Sequence, residues 1–319
     1  MAGELCTITL RPRGLIRAVC SFEAVDPMSP KHIALAVFVT AIWGFNFVVI
    51  RLGLDSLPPF LLAALRFAVA GVPAFFIARP KLSWPRLFLI GMALFFGQFA
   101  FLFPAMTVGM PPGLASVVLQ SQAFFTVLFA AGLLGERPRL MQLAGCAVAG
   151  AGLVTIATTT GLGFTVSGLL LALAAAASWA MGNVLVRTAG KVDMFPLIIW
   201  LCLIPPLPFL AMSFAFEGWP AIQGALSGLM VTGVASILYL AIPTTIVGFG
   251  IWGFLLKTYP ASTVAPFSLL VPLFGTLSAY LVLGETFSPT RLVGMVLVVC
   301  GLAFIVWPAR PRKVSPAHA

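Results

Sequence analysis

The chain has 319 residues, of which 61% are hydrophobic and only 8% are charged. A soluble domain carries about 25% charged residues, so this chain could not cover a water-facing surface, and its solvent must largely be lipid. The net charge of +10 does not indicate a nucleic-acid partner, because the basic residues are scattered singly between apolar runs. The cysteines show no paired spacing and no Cys/His cluster, so the sequence predicts neither a metal site nor a disulfide framework.

Residues 1–27 contain no apolar stretch long enough for a signal peptide. They are either part of an N-terminal tail, 1–31, or sequence upstream of a true start at Met28. Beyond them, apolar runs of about 20 residues, the length that crosses a bilayer as a helix, predict an all-α membrane protein with ten transmembrane helices. The runs lie at 32–50, 58–78, 87–108, 113–134, 140–157, 168–187, 196–215, 229–253, 262–283 and 291–307. Residues 308–319 are predicted to form a cytoplasmic tail.

The positions of Lys and Arg predict the orientation. When the joints between runs are assigned alternately to two sides, 15 of the 18 Lys and Arg residues fall on the side of the N-terminus. The exceptions are Arg51 and Arg291 on the other side and Arg66 inside the second run. Lys and Arg accumulate in cytoplasmic loops, so both termini are predicted to be cytoplasmic, in a bacterial inner membrane.

The two halves of the chain, 32–157 and 168–307, repeat one another. Leu-Gly-Glu at 134–136 aligns without gaps with Leu-Gly-Glu at 283–285, together with the Gly and Leu residues that follow each motif. Each half contains five predicted helices, an odd number, so the second half would insert upside down relative to the first. Inverted repeats are typical of secondary transporters, in which the substrate binds near the bilayer midplane between the halves.

Short motifs in this chain resemble those of the drug/metabolite transporter superfamily, in its EamA branch, over about residues 28–310. They are Trp-Gly-Phe-Asn-Phe at 43–47, Leu-Arg-Phe at 65–67 and the two Leu-Gly-Glu motifs. Within that branch, the stretches 113–120, 122–126 and 265–272 resemble exporters of O-acetylserine and cysteine. The resemblance implies export of small amino-acid-like metabolites by alternating access; fold similarity alone is a weak guide to the substrate.

Arg66 is the only Lys or Arg placed deep inside a predicted span. It lies about seven residues, or roughly 11 Å, from the end of its helix. A charge at such a depth costs at least about 2.5–3.5 kcal/mol, so a partner must compensate it. No Asp or Glu is predicted at membrane depth. Arg66 therefore either binds the carboxylate of an amino-acid substrate, or it extends toward the interface or bonds backbone carbonyls in a purely structural role.

Two pairs of polar and aromatic residues occupy similar places in the two halves. Trp43 and Asn46 are three residues apart, and Trp179 and Asn183 are four apart, so each pair shares one helix face. Both Trp residues lie too deep for the interfacial aromatic belt. The pairs are predicted to line a central cavity; the alternative is that Asn joins helices and Trp packs the bundle.

The fourth and ninth runs carry further candidate lining residues. Gln120 and Gln122 are about 200° apart on an α-helix, so only Gln120 is predicted to face the cavity. Ser268 and Thr276 share a helical stripe with Pro272, which is predicted to bend the ninth helix. Weaker candidates of the same kind are Gln98, Tyr239, Thr244 and Thr245.

Glu136 and Glu285 each precede a predicted helix and are expected to stabilise its N-terminal dipole, with proton coupling as the alternative. The sequence contains no phosphate-binding loop, so it predicts transport driven by the substrate gradient or by proton exchange and not by ATP hydrolysis. An intramembrane enzyme would need clustered His or carboxylates, which this sequence lacks. The chain is therefore predicted to be no enzyme and to need no cofactor or metal. Broader drug efflux and a non-transporting receptor or scaffold are the remaining alternatives.

Overall fold

The computed structural model describes residues 6–10, 16–20, 28–161, 163–190 and 192–306. Near the N-terminus, β1 (Cys6–Leu10) pairs antiparallel with β2 (Ile16–Cys20), with Cys6 opposite Cys20. The sequence did not predict these strands. The predicted tail 1–31 ends too late, because the first helix already begins at Pro30. The other residues of 1–27 and the predicted tail 308–319 lie outside the described residues.

Apolar helices build the rest of the described chain. Nine of them are long and apolar enough to cross a membrane, and a tenth, α2, is shorter. They are α1 (Pro30–Leu54), α2 (Pro59–Phe75), α3 (Trp84–Thr107), α4 (Pro112–Leu134), α5 (Leu140–Ala157), α6 (Val166–Thr188), α7 (Met194–Glu217), α8 (Val231–Thr258), α9 (Ala261–Leu283) and α10 (Pro289–Val306). A short helix, Trp219–Ser227, precedes α8. The chain is therefore an all-α, multi-pass membrane protein across its helical part.

Polar contacts join the loops in two separate groups, one at each end of the bundle. At the end that carries the start of α1, which we call the first end, Arg187 pairs with Glu136 at 2.6 Å and Lys257 with Asp193 at 2.6 Å. At the second end, Ser56 bonds Thr232, Thr165 bonds the carbonyl of Val108, and Glu217 accepts from the backbone N–H of Phe60. Every one of these contacts joins loops that the Lys and Arg count assigns to the same side.

Several local distortions occur at corresponding places in the two halves. Both α3 and α8 contain a π-helical segment, at Met92–Gly97 and Ile242–Val247. Both α4 and α9 contain a 3₁₀ segment, at Leu119–Ser121 and Ala265–Leu269. These segments widen or tighten a helix locally and change which side chains share a face. The halves therefore share their irregularities as well as their sequence motifs.

The repeated Leu-Gly-Glu motifs end α4 and α9 with the same backbone geometry. Gly135 has φ 66° and ψ 18°, and Gly284 has φ 66° and ψ 22°. This left-handed conformation caps a helix C-terminus and favours glycine, since it lacks a Cβ. The motif therefore fixes the point at which each helix ends and the following Glu begins a loop.

Small residues bring α5 and α10 into close contact. A Cβ atom built on Gly145 would lie only 2.6 Å from the carbonyl oxygen of Gly301. Glycines that let two backbones approach in this way are characteristic of helix interfaces in membranes. The last helices of the two halves consequently form one tightly packed pair beside the other eight.

The expectation that Glu136 and Glu285 stabilise the helices that directly follow them is wrong. The Glu285 carboxylate accepts from the backbone N–H groups of Gly113 and Leu114, at the start of α4. Glu136 pairs with Arg187 instead. Glu285 thus caps a helix that is distant from it in the sequence. The helix that follows a Glu directly in the sequence is not the one that it caps here.

Candidate functional site

A cavity of about 140 Å³ lies among α1, α2, α3, α4, α6, α8 and α9. We call it the inner cavity. Its polar lining residues come from six of these helices and are Asn46, Arg66, Gln98, Gln120, Gln122, Thr244, Thr245 and Ser268. Its six aromatic lining residues are Trp43, Phe47, Phe95, Phe99, Trp179 and Phe249. Both halves of the chain contribute to the walls.

Helix distortions place several of these polar side chains. Thr244 and Thr245 lie within the π segment of α8, which begins beside Pro243. Gln98 directly follows the π segment of α3. A proline removes a backbone donor and frees a carbonyl, and membrane helices accept such breaks where neighbouring groups satisfy the backbone. Close to Pro243, side chains bond the backbone, since the carbonyl of Leu240 accepts from Thr245 Oγ1 at 2.9 Å and from Arg66 Nη2 at 3.3 Å.

Arg66 is only 2% exposed and reaches across the cavity wall from α2 to α8. Its Nη2 also donates to Thr245 Oγ1 at 3.2 Å, and its guanidinium carbon lies 4.4 Å from the ring centroid of Phe99. Its Nε and Nη1 have no hydrogen-bond partner within the described part of the chain. The side chain therefore does not extend to the interface. One nitrogen is held structurally, and two donor atoms beside the cavity are left unpaired.

Aromatic rings form the apolar wall of the inner cavity. Trp43 Nε1 donates to the carbonyl of Thr244 at 2.9 Å, which fixes the indole between the two halves. The rings of Trp179 and Phe249 are stacked, with centroids 6.3 Å apart, and Phe95 packs on both of them. Packed rings of this size bury a large apolar area, so the polar groups of the cavity lie beside an apolar wall.

A chain of side-chain amides crosses from α6 through α4 to α9. Asn183 Nδ2 donates to Gln122 Oε1 at 3.3 Å, and Gln122 Nε2 donates to Gln120 Oε1 at 3.3 Å. Gln120 Nε2 donates to the carbonyl of Ser268 at 3.1 Å. The expectation that Gln120 and Gln122 cannot both face one cavity is wrong, because the 3₁₀ turn at Leu119–Ser121 gives about 120° per residue and alters the α-helical spacing.

A second, wider space of about 620 Å³ lies at the first end of the bundle, between the end of α4 and the start of α9. We call it the wide cavity. Glu136, Arg187 and Ala261 line it, and Gln122 lines both this space and the inner cavity. Gln122 therefore stands between the two spaces, with its amide group held by Gln120 and Asn183.

The structure brings most of the sequence-predicted residues together, and their role in binding stays a prediction. Those that line the inner cavity are Arg66, Trp43, Asn46, Gln120, Trp179 and Ser268, with Gln98, Thr244 and Thr245 from the weaker candidates. Asn183 lines the wide cavity instead. Tyr239 lines neither space, and its hydroxyl donates to the carbonyl of Ile42.

Thr276 does not face the inner cavity, which corrects the prediction made from its helical stripe. Thr276 and Pro272 lie in a groove between α9 and α10, beside Leu292 and Met295. The 3₁₀ segment Ala265–Leu269 breaks the α-helical periodicity between Ser268 and Thr276. The irregular part of α9 is this segment, which contains Pro266 and precedes Pro272, and the bend expected at Pro272 stays a prediction.

Sequence reasoning missed seven lining residues, which are Phe47, Phe95, Phe99, Leu119, Gln122, Phe249 and Val271. Phe95 and Phe249 have no sequence signal that separates them from the other Phe residues of an apolar chain. Gln122 does have one, since a lone amide side chain within an apolar run needs a partner in the membrane. Gln122 was nevertheless left out, because an angle of about 200° from Gln120 on an α-helix placed it on the other side of the helix.

Comparison with known proteins identifies the family. The model of the EamA-like transporter family matches residues 30–158 and again residues 166–307. A protein of Salmonella typhimurium (strain LT2) called "Probable amino-acid metabolite efflux pump" is 46% identical over 295 residues, covering 90% of this chain and 99% of that protein. Its namesake in Escherichia coli (strain K12) is 44% identical over 293 residues, 90% of this chain and 98% of that protein.

Less similar proteins were also found. The "Uncharacterized inner membrane transporter YedA" of Escherichia coli (strain K12) is 26% identical over 283 residues, 85% of this chain and 90% of that protein. One solved crystal structure superposes with a TM-score of 0.60 at 22% identity, over 87% of this chain and 96% of that one. That likeness supports the fold alone. The family match confirms the prediction of a transporter and not an enzyme.

Proposed function

We propose that this chain, which belongs to the EamA-like transporter family, exports small amino-acid-like metabolites, with cysteine and O-acetylserine as lead substrates. The names of the two relatives that are 46% and 44% identical support the class of substrate. The resemblance of 113–120, 122–126 and 265–272 to exporters of O-acetylserine and cysteine supports the two compounds.

The observation that carries the proposal is the environment of Arg66. Two of its nitrogen atoms, Nε and Nη1, lack a partner within the described residues, although the side chain is 2% exposed. No Asp or Glu is among the described residues that line the inner cavity. An uncompensated buried charge is costly, and a planar guanidinium matches the two oxygens of a carboxylate. A substrate carboxylate would supply the missing partner.

The same proposal includes a topology. Ten membrane-spanning helices, with α2 among them, would form two inverted halves of five, with both termini in the cytoplasm of a bacterial cell. The Lys and Arg count supports the orientation, and the end-by-end grouping of loop contacts supports the alternation of spans. Helix α2 is short, but the apolar residues Phe76 and Ile77 extend its hydrophobic length.

Alternating access would follow from this arrangement. The wide cavity opens at the first end, which is the cytoplasmic end in this topology, and the contact between Glu285 and the start of α4 joins the helices at the other end. An exporter that loads its substrate from the cytoplasm would adopt such a state. The driving force would be the substrate gradient or exchange for protons; the lack of a carboxylate among the described lining residues favours the gradient.

Broader efflux of amphipathic toxic compounds is the second candidate. The six aromatic side chains around the inner cavity support it, because adaptable aromatic pockets accept many apolar ligands. Such a transporter would not depend on a carboxylate in its substrates, and therefore not on Arg66 in the same way.

Export from cells tests the proposal. Strains overproducing the wild-type protein, the Arg66→Gln variant or no additional protein are compared for extracellular cysteine and O-acetylserine at equal membrane abundance. We expect both compounds to accumulate outside the wild-type strain only. If neither accumulates there, while resistance to a panel of toxic compounds rises, the second candidate replaces the first.

A further inference from the structure

Two amide oxygens beside the inner cavity lack hydrogen-bond partners. Asn46 Oδ1 on α1 and Gln98 Oε1 on α3 are buried, and neither accepts a hydrogen bond from the described part of the chain. Both residues line the inner cavity. Buried polar side-chain atoms nearly always have a partner, so two unpaired acceptors at one cavity point to a ligand that carries donors.

The unpaired atoms of the cavity have two opposite polarities. Within the described residues, Arg66, on α2, offers donors through Nε and Nη1, whereas Asn46 and Gln98 offer acceptors; Thr244 Oγ1, also unpaired, can donate or accept. A ligand that satisfies both must combine an anionic acceptor group with a group rich in N–H or O–H donors. An α-amino acid carries both groups on one carbon atom, since its carboxylate accepts from a guanidinium and its ammonium group has three N–H donors.

We infer that Asn46 Oδ1 and Gln98 Oε1 form a subsite for the free α-ammonium group of the substrate, opposite the Arg66 subsite for its carboxylate. This inference rests on the proposed function and deepens it, because it makes the zwitterionic head group the recognised feature. The side chain of the substrate then lies toward the aromatic wall of Trp43 and Trp179, which offers apolar contact and few specific polar groups.

The subsite selects against substrates whose amino group is acylated. An amide nitrogen has one N–H and no charge, so one of the two acceptors would stay unpaired, and the acyl group would occupy the space beside it. O-acetyl-L-serine and N-acetyl-L-serine are isomers with the same carboxylate, and they differ only in which heteroatom carries the acetyl group. They form a matched pair for the test.

The experiment measures transport of radiolabelled O-acetyl-L-serine by the wild-type protein in proteoliposomes. A mildly acidic buffer slows migration of the acetyl group from oxygen to nitrogen. Unlabelled N-acetyl-L-serine, unlabelled O-acetyl-L-serine and O-acetylethanolamine, which lacks the carboxylate, are the competitors. We expect N-acetyl-L-serine to compete at least about tenfold more weakly than O-acetyl-L-serine. It lacks the charged ammonium group whose N–H donors bond Asn46 and Gln98.

Two variants test whether Asn46 and Gln98 cause the preference for O-acetyl-L-serine over N-acetyl-L-serine. Asn46→Leu and Gln98→Met keep the approximate size of each side chain and remove the acceptor. We expect each to reduce the preference for O-acetyl-L-serine over N-acetyl-L-serine, while O-acetylethanolamine stays a poor competitor because Arg66 is intact. The Thr276→Val variant, altered in the groove between α9 and α10, keeps the full preference.

The outcomes separate the inference from the proposed function. If the wild-type protein moves no O-acetyl-L-serine, the proposed function fails and the ammonium subsite fails with it. If it moves O-acetyl-L-serine but N-acetyl-L-serine competes equally well, only the ammonium subsite is overturned. The same holds if folded Asn46→Leu and Gln98→Met proteins both keep the wild-type preference.

Discussion

The Glu285 carboxylate accepts a hydrogen bond from the backbone N–H of Gly113 at 2.8 Å, across 172 residues of sequence. The contact joins the end of α9 to the start of α4 at the second end of the bundle. The corresponding residue of the first half, Glu136, makes no such contact with the described residues, and it lines the wide cavity together with Ala261 at the start of α9. At the second end, the Glu of one Leu-Gly-Glu motif thus joins α9 to α4. At the first end, the Glu of the other motif lies beside an open space between α4 and α9.

We predict that Glu285→Gln and Glu136→Gln shift the equilibrium between the two access states in opposite directions. If the halves are inverted repeats, Glu136 caps α9 at Ser262 and Thr263 when the first end closes, as Glu285 caps α4 here. Losing a charged cap costs about 0.5–2 kcal/mol, whereas the exposed Arg187–Glu136 pair contributes about 0–1 kcal/mol. Glu285→Gln should therefore favour opening at the second end, and Glu136→Gln opening at the first end.

Labelling of a cysteine in the wide cavity measures this shift. In a background without native cysteines, Thr126→Cys is labelled from the cytoplasmic face with a membrane-impermeant maleimide. Relative to that background alone, Glu136→Gln should raise the labelling rate and Glu285→Gln should lower it, each about two- to tenfold. Asp55→Asn, which removes only the exposed pair with Arg51, is the control. If both variants changed the labelling rate in the same direction, the idea that Glu285 caps α4 in one access state and Glu136 caps α9 in the other would be refuted.

Substitutions on α4 and α9 test whether the inner cavity, and not the groove between α9 and α10, is the transport site. Gln120→Leu removes the amide that joins Gln122 to the carbonyl of Ser268, and we expect it to lower export at least several-fold. Thr276→Val should leave export within the error of the measurement, because Thr276 faces α10. Loss of export in Thr276→Val at normal abundance would contradict the placement of the site.

The close contact of α5 with α10 predicts a strong effect of added volume. Gly145→Val would force a side chain against the carbonyl of Gly301, and overpacking of this kind costs about 1–3 kcal/mol. We expect a lower midpoint of thermal unfolding for the protein in detergent. Gly150→Val, on the same helix with no heavy atom within 4 Å of its Cβ position, should change the midpoint much less. Similar midpoints for both variants would exclude tight packing at this interface.

The orientation predicts the activity of reporter fusions. A periplasm-specific reporter fused after Pro112, at the second end, should be active, and a cytoplasm-specific one should be active after Lys81, at the first end. Both expectations follow from the concentration of Lys and Arg at the first end. The reverse pattern would overturn the proposed topology.

The sequence predicts the spans and much of the inner cavity because those depend on composition and on single residues. A charge as deep as Arg66 needs a polar neighbourhood wherever it lies, and Trp43 and Asn46 share a face in any α-helix. Gln122 and Thr276 were misplaced because short 3₁₀ segments change the angle between residues, and such segments depend on contacts with other helices. The partner of Glu285 could not be predicted either, since Gly113, at the start of α4, lies 172 residues earlier.

The most direct test of the central claim, that Arg66 holds the carboxylate of an exported amino-acid-like substrate, is the efflux of radiolabelled O-acetyl-L-serine from loaded proteoliposomes. We predict saturable efflux with the wild-type protein and with Arg79→Gln, which alters an exposed loop arginine. For Arg66→Gln we predict that the rate of efflux falls at least about tenfold, since a charged hydrogen-bonded pair is removed. Efflux that is equal in wild type and Arg66→Gln, or no efflux with the wild-type protein, would contradict it.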